Sequence, residues 1–159
     1  MGSVNGTIGA MNWRADWLWS LPLIVTTIVI HVFGLGVLHE RVVRVVARLV
    51  DRRHFTAMFA GVMGIAVLLI TALHALEGWV WALAFWALAA RPDLPSAILF
   101  SFGAMTTYGG SGFDLQRHWQ LMGALEALNG IILFGLTTAF LFSMIQEVWT
   151  AGRDGRRRH

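Results

Sequence analysis

The chain has 159 residues, of which 57% are hydrophobic and 13% charged, and its mean hydropathy is +0.64. Soluble domains carry about a quarter charged residues, so this composition excludes a soluble enzyme or nucleic-acid binder and points to an integral membrane protein with one membrane domain. There is no Cys, which excludes disulfides and thiolate metal sites, and the net charge is +3 with every basic residue an Arg.

Residues 1–16 lack a basic start followed by an apolar core, so no cleavable signal peptide is expected. Gly2, Ser3, Asn5, Gly6 and Gly9 suggest a flexible extracytoplasmic tail. A first span is expected from Trp17 to Leu38, long enough to cross a hydrocarbon core roughly 30 Å thick. Trp13, Trp17 and Trp19 anchor its start at headgroup level, and His31 is its one ionisable group. Glu40 to His54 follows as an arginine-rich linker. Its Arg41, Arg44, Arg48 and Arg52 fall on one helix face. They come after the apolar span and not within it, so they face water and anionic headgroups and do not sense voltage.

A second span is expected from Phe55 to about Leu76, with a Trp-rich extension of the same helix to Ala90. Arg91-Pro92-Asp93-Leu94-Pro95 is the clearest break in the chain. Pro95 to Met105 then makes a half-helix of roughly 16 Å, Pro95 suiting its first turn. The Gly- and hydroxyl-rich Thr106-Thr107-Tyr108-Gly109-Gly110-Ser111-Gly112 comes next, and a third span runs from Leu121 to Met144. Non-helical backbone at membrane depth must line a water-filled path or be buried in protein. The expected architecture is therefore all-α, with three transmembrane helices and one re-entrant loop whose carbonyls and hydroxyls surround a passing cation.

The 40–53 loop carries five arginines and the C-terminal tail, 151–159, carries four. Positive-inside placement puts both in the cytoplasm, with the N-terminus and the loop outside, in an inner (cytoplasmic) membrane. No nucleophile, acid–base pair or phosphate loop stands in a plausible site, so no enzymatic activity is expected.

Ser101 to Gly109 resembles the end of the pore helix and the start of the filter in pore-loop potassium channels. Asn129 to Leu141, with Gly130, Gly135 and Thr138-Ala139, is similar to that family's inner helix. The resemblance covers about residues 55–145 and makes 17–54 an added N-terminal helix and linker. It implies a homotetramer in membrane lipid, with no cofactor beyond permeant potassium or other monovalent cations at the filter carbonyls of 106–112. It further implies a cavity or gate lined by Ile131, Phe134, Thr138 and Phe142, while Gly130 and Gly135 are read either as a hinge or as small residues that let helices pack closely. The family filter reads Thr-Val-Gly-Tyr-Gly-Asp, whereas Tyr108, Gly110, Ser111 and Gly112 depart from it here. A non-selective cation channel is the alternative.

Asp114 follows the filter and is read either as an outer-mouth acidic ring or as a turn cap. Glu126 is the lone charge of the third span, expected to be protonated or hydrogen-bonded behind the filter near Ser101. A different class of reading, a haem- or metal-binding membrane subunit, rests on His31, His39, His54 and His74, with His74 and Glu77 on one helix face. Against it, His31 is placed mid-span and His74 near the outer end of its helix, at different depths.

Overall fold

The computed structural model describes residues 4–48, 55–108, 115 and 119–157. Among them there are four helices and no strand: α1 (Val4–Ala47), α2 (Phe55–Ala87), α3 (Leu94–Met105) and α4 (Gln120–Arg157). Three stretches, Arg14–Val45, Thr56–Ala87 and Gln120–Glu147, are long and apolar enough to span a membrane. The chain is a membrane protein by this criterion. The 12-residue α3 is apolar but only about 18 Å long, too short to cross.

The helices run further than their apolar cores suggest. The segment before Trp17, expected as a tail, is helical from Val4. Asp16 and Ser20 are buried, and a helix already nucleated there extends at little cost per residue. The arginine linker continues α1 as far as Ala47, with Arg41 and Arg44 exposed. The tail after residue 150 likewise prolongs α4 to Arg157. The Trp-rich extension is an unbroken part of α2, with Trp81 and Phe85 fully buried.

α1 packs against both α2 and α4, and α3 does the same from the other side, so among the described residues α2 and α4 touch each other little and α1 and α3 do not meet. Two apolar clusters result. One joins Leu35, Leu38 and Val42 of α1 to Ala66 and Ile70 of α2 and Met144 of α4. The other gathers Trp81 and Phe85 of α2, Ala97 and Phe100 of α3, Met122 of α4, and Leu115. Between these clusters lies a layer of buried polar side chains: Thr27 and His31 on α1, Glu77 on α2, Ser101 on α3, and Glu126, Asn129 and Thr137 on α4.

The ends of α2 and α3 have a common geometry. The Ala90 N–H donates to Phe85 O and the Ala89 N–H to Trp86 O; the Tyr108 N–H donates to Gly103 O and the Thr107 N–H to Ala104 O. Both are the paired bonds of a Schellman ending, whose turning residue is usually Gly. Here Ala89 and Thr107 occupy that place, at φ 52° and 55°. At the other end of α3, Asp93 accepts from the Ser96 N–H at 2.8 Å, an N-cap, and proline stands in the first turn.

α3 lies close against α4 at one glycine. A Cβ on Gly130 would clash with the backbone oxygen of Met105, whereas one on Gly135 would meet nothing within 4 Å. Gly130→Ala is therefore expected to destabilise the protein by about 1–3 kcal/mol through overpacking. Gly135→Ala should be neutral or slightly stabilising, since Ala is the better helix former. Thermal unfolding of the two variants in detergent checks this; equal transition temperatures would contradict the close contact.

Candidate functional site

The residues after α3 are where the resemblance to pore-loop channels would put a filter. Thr106 closes the helix, its Oγ1 donating to Phe102 O at 2.7 Å. Thr107 follows in the left-handed region, which is costly for a β-branched side chain. Strain of this kind persists only where surrounding structure enforces it, and it concentrates at functional sites. Tyr108 is exposed. Gly109, Gly110, Ser111, Gly112 and Asp114 lie outside the described residues.

Behind this segment, Ser101 joins α3 to its two neighbours. Its Oγ donates to Gly78 O of α2 at 2.7 Å and is also hydrogen-bonded to Glu126 of α4. A hydroxyl has one proton and two lone pairs, so it cannot donate to both. The proton count closes when Ser101 donates to Gly78 O and Glu126, as a neutral acid, donates to Ser101. Glu126 thus stands beside Ser101, fully buried, and both side chains hold the C-terminal half of α3.

On α4, three of the residues expected to line a cavity, Ile131, Thr138 and Phe142, face away from the packed interior of the chain, whereas Phe134 lies on the flank and stacks on the His74 ring. Ile131, Phe134, Thr138 and Phe142 are exposed, Ile131 by 56% and Phe142 by 62%. They follow the three- and four-residue spacing of one helix stripe. The opposite stripe, Glu126, Asn129, Leu133 and Thr137, is buried. Gly135 is exposed, while Gly130 is buried on the α3 side.

The placement of His31 and His74 at different depths is incorrect. Their ring centroids are 5.0 Å apart. The reason is that the Trp-rich extension belongs to the apolar span and not to the interface: the spanning stretch is Thr56–Ala87, which brings His74 towards its middle. His31 Nδ1 lies 2.8 Å from Glu77 Oε1, and His74 Nδ1 lies 3.3 Å from Glu77 Oε2. The Nε2 atoms of both rings converge on Thr137 Oγ1, at 3.0 Å from His31 and 3.1 Å from His74. His39 is not part of the cluster: it lies 3.6 Å from Glu147. His54 lies outside the described residues.

Three members of the polar layer were not singled out from the sequence: Thr27, Asn129 and Thr137. Asn129 Nδ2 donates to Thr27 Oγ1 at 2.8 Å, and that hydroxyl donates back along its own helix to Leu23 O at 2.9 Å. The available signal was spacing, since Glu126, Asn129, Leu133 and Thr137 repeat at three and four residues. In Thr137-Thr138 only the first faces the neighbouring helices.

Set against protein-family models, curated proteins and solved structures, the chain matches none of the three.

The proton count at Ser101 has a consequence for stability. Glu126→Gln supplies an amide donor to Ser101 and should retain near-wild-type stability. Glu126→Ala removes the donor and opens a cavity, and should cost about 2–4 kcal/mol. Thermal unfolding separates the two; equal destabilisation would mean that Glu126 contributes as an anion and not as a donor.

Proposed function

We propose that the chain is one subunit of a homotetrameric pore-loop channel that passes monovalent cations, potassium first, down their gradient across a cytoplasmic membrane. In this reading α2 is the outer helix, α3 a re-entrant pore helix, 106–112 the filter, and α4 the inner helix. α1 is a peripheral addition. The chain is then a conduit and not an enzyme.

One observation carries the reading. An apolar helix of half-membrane length is seated between two spanning helices, polar-bonded to both through Ser101, and it ends directly in Thr106-Thr107. A helix too short to cross, followed by hydroxyl- and glycine-rich chain, has a physical use at that depth if its backbone faces a water-filled path. A single loop cannot enclose such a path, so the path requires a ring of copies. The exposed stripe Ile131, Phe134, Thr138 and Phe142 then faces the axis, and its phenylalanines form an apolar constriction able to gate by dewetting.

Thr107, like Ala89 at the end of α2, holds a conformation that Gly would occupy more easily. Thr107→Gly is expected to raise stability by about 1 kcal/mol while lowering conduction, as the filter loses a hydroxyl. Ion flux into liposomes, comparing potassium with sodium, tests the whole reading. Potassium-favouring flux that is lost in Gly109→Ala is the expected result. Equal flux of both ions, still lost in Gly109→Ala, would make the pore non-selective. No flux from verified tetramers would overturn conduction altogether.

A further inference from the structure

We propose that His31, His74 and Glu77 form a binding site for a divalent transition-metal ion of the zinc type, buried in the bundle and separate from the filter. The three side chains offer two imidazole nitrogens and a carboxylate whose ligand atoms all lie within 4.8 Å of one another. His74 and Glu77, three residues apart, share one face of α2, and α1 brings His31 across from the other side. Neutral nitrogen with carboxylate oxygen, and no thiolate, suits zinc and its first-row neighbours.

The hydrogen-bond pattern supports an ion more directly. Both rings turn Nδ1 towards Glu77 and Nε2 towards Thr137. An imidazole that binds a metal through Nδ1 carries its proton on Nε2. Two such rings present two N–H donors to Thr137 Oγ1, which has two lone pairs to receive them. One hydroxyl thereby orients both ligands, the outer-shell arrangement common to metal-bound histidines.

The array also contains two atoms that nothing else satisfies. His74 Nδ1 and Glu77 Oε2 are buried and make no hydrogen bond, although they approach to 3.3 Å. An unmatched buried polar atom is costly, and an ion between the two satisfies both. Tetrahedral bonds of about 2.0–2.1 Å put neighbouring ligand atoms about 3.3 Å apart. The His74–Glu77 pair already has that spacing. His31 Nδ1 lies 2.8 Å from the other carboxylate oxygen, Oε1, so the carboxylate turns to present one oxygen to both rings or takes the ion through both. Three protein ligands leave a fourth position open. The His74 ring stacks on Phe134 with centroids 4.5 Å apart, which sets an electron-rich face against a ligand of the cation.

The test uses the full chain without a histidine tag, stripped with chelator in detergent and then equilibrated with zinc or cobalt(II). One ion per chain by mass spectrometry is expected, with the cobalt absorption bands of a four-coordinate nitrogen–oxygen site. His74→Gln and Glu77→Gln should lose both signals while eluting as the wild type does. Should those variants fail to fold, two others decide. Thr137→Val keeps all three ligands and should bind about 10- to 100-fold more weakly. His39→Gln removes the histidine that pairs with Glu147 and should keep the full complement. Wild-type metal content no higher than that of Glu77→Gln, unchanged affinity in Thr137→Val, or loss of the ion in His39→Gln would each overturn the site. The readout is metal content, so it stands or falls independently of ion conduction.

Discussion

Two carboxyl groups buried among apolar helices set the terms for this structure. Glu77 and Glu126 are both fully enclosed, at a depth where an unmatched charge or dipole has no water to turn to. Each is met by groups from other helices: Glu77 by His31 of α1, Glu126 by Ser101 of α3. Thr137 carries the network from α4 back to His31 and His74, and Asn129 ties α4 to Thr27. Every helix is thereby joined to at least two others through one polar layer. Lipid tails are as apolar as leucine side chains, so apolar burial alone gives helices little reason to associate in a membrane. The polar layer and close packing supply that reason.

The placement of α3 follows from the same layer. Ser101 bonds to a backbone carbonyl of α2 and to a side chain of α4, which fixes the short helix in both rotation and depth. Gly130 then lets the last turn of α3 rest on the backbone of α4. With the C-terminal half of α3 held by the Ser101 hydrogen bonds and its last residue held by this contact, the helix can support a strained residue beyond it. Thr107 at positive φ shows where that rigidity is spent.

Much of this was legible in the sequence, and for physical reasons. Hydropathy identified three spans, and the two prolines around Asp93 marked the turn into a half-length helix. The cost of a lone mid-membrane acid pointed Glu126 towards Ser101. What hydropathy does not carry is where a helix stops. Residues 4–12 and the arginine segment are too polar to read as span, yet they extend helices already formed. Ending the second span near Leu76 displaced His74 from mid-membrane by roughly two turns and hid its meeting with His31. The Schellman endings were illegible for another reason: both place a non-glycine residue where local preference calls for Gly, so the surroundings override propensity there. The choice of Thr137 over Thr138 as the inward residue depends on helix rotation, which one turn of sequence does not reveal.

The polar layer also bears on how the chain enters the bilayer. Each spanning helix carries groups near its middle that are unfavourable in lipid when it stands alone: His31 on α1, His74 and Glu77 on α2, Glu126 and Asn129 on α4. The first hairpin resolves part of this as soon as α2 has been made, because His31 and Glu77 can then pair. α3 brings Ser101 against α2 before α4 exists. α4 arrives last, and its acid, amide and hydroxyl find Ser101, Thr27 and the histidine pair already in place. The order of synthesis therefore matches the order in which the partners of Glu126, Asn129 and Thr137 become available.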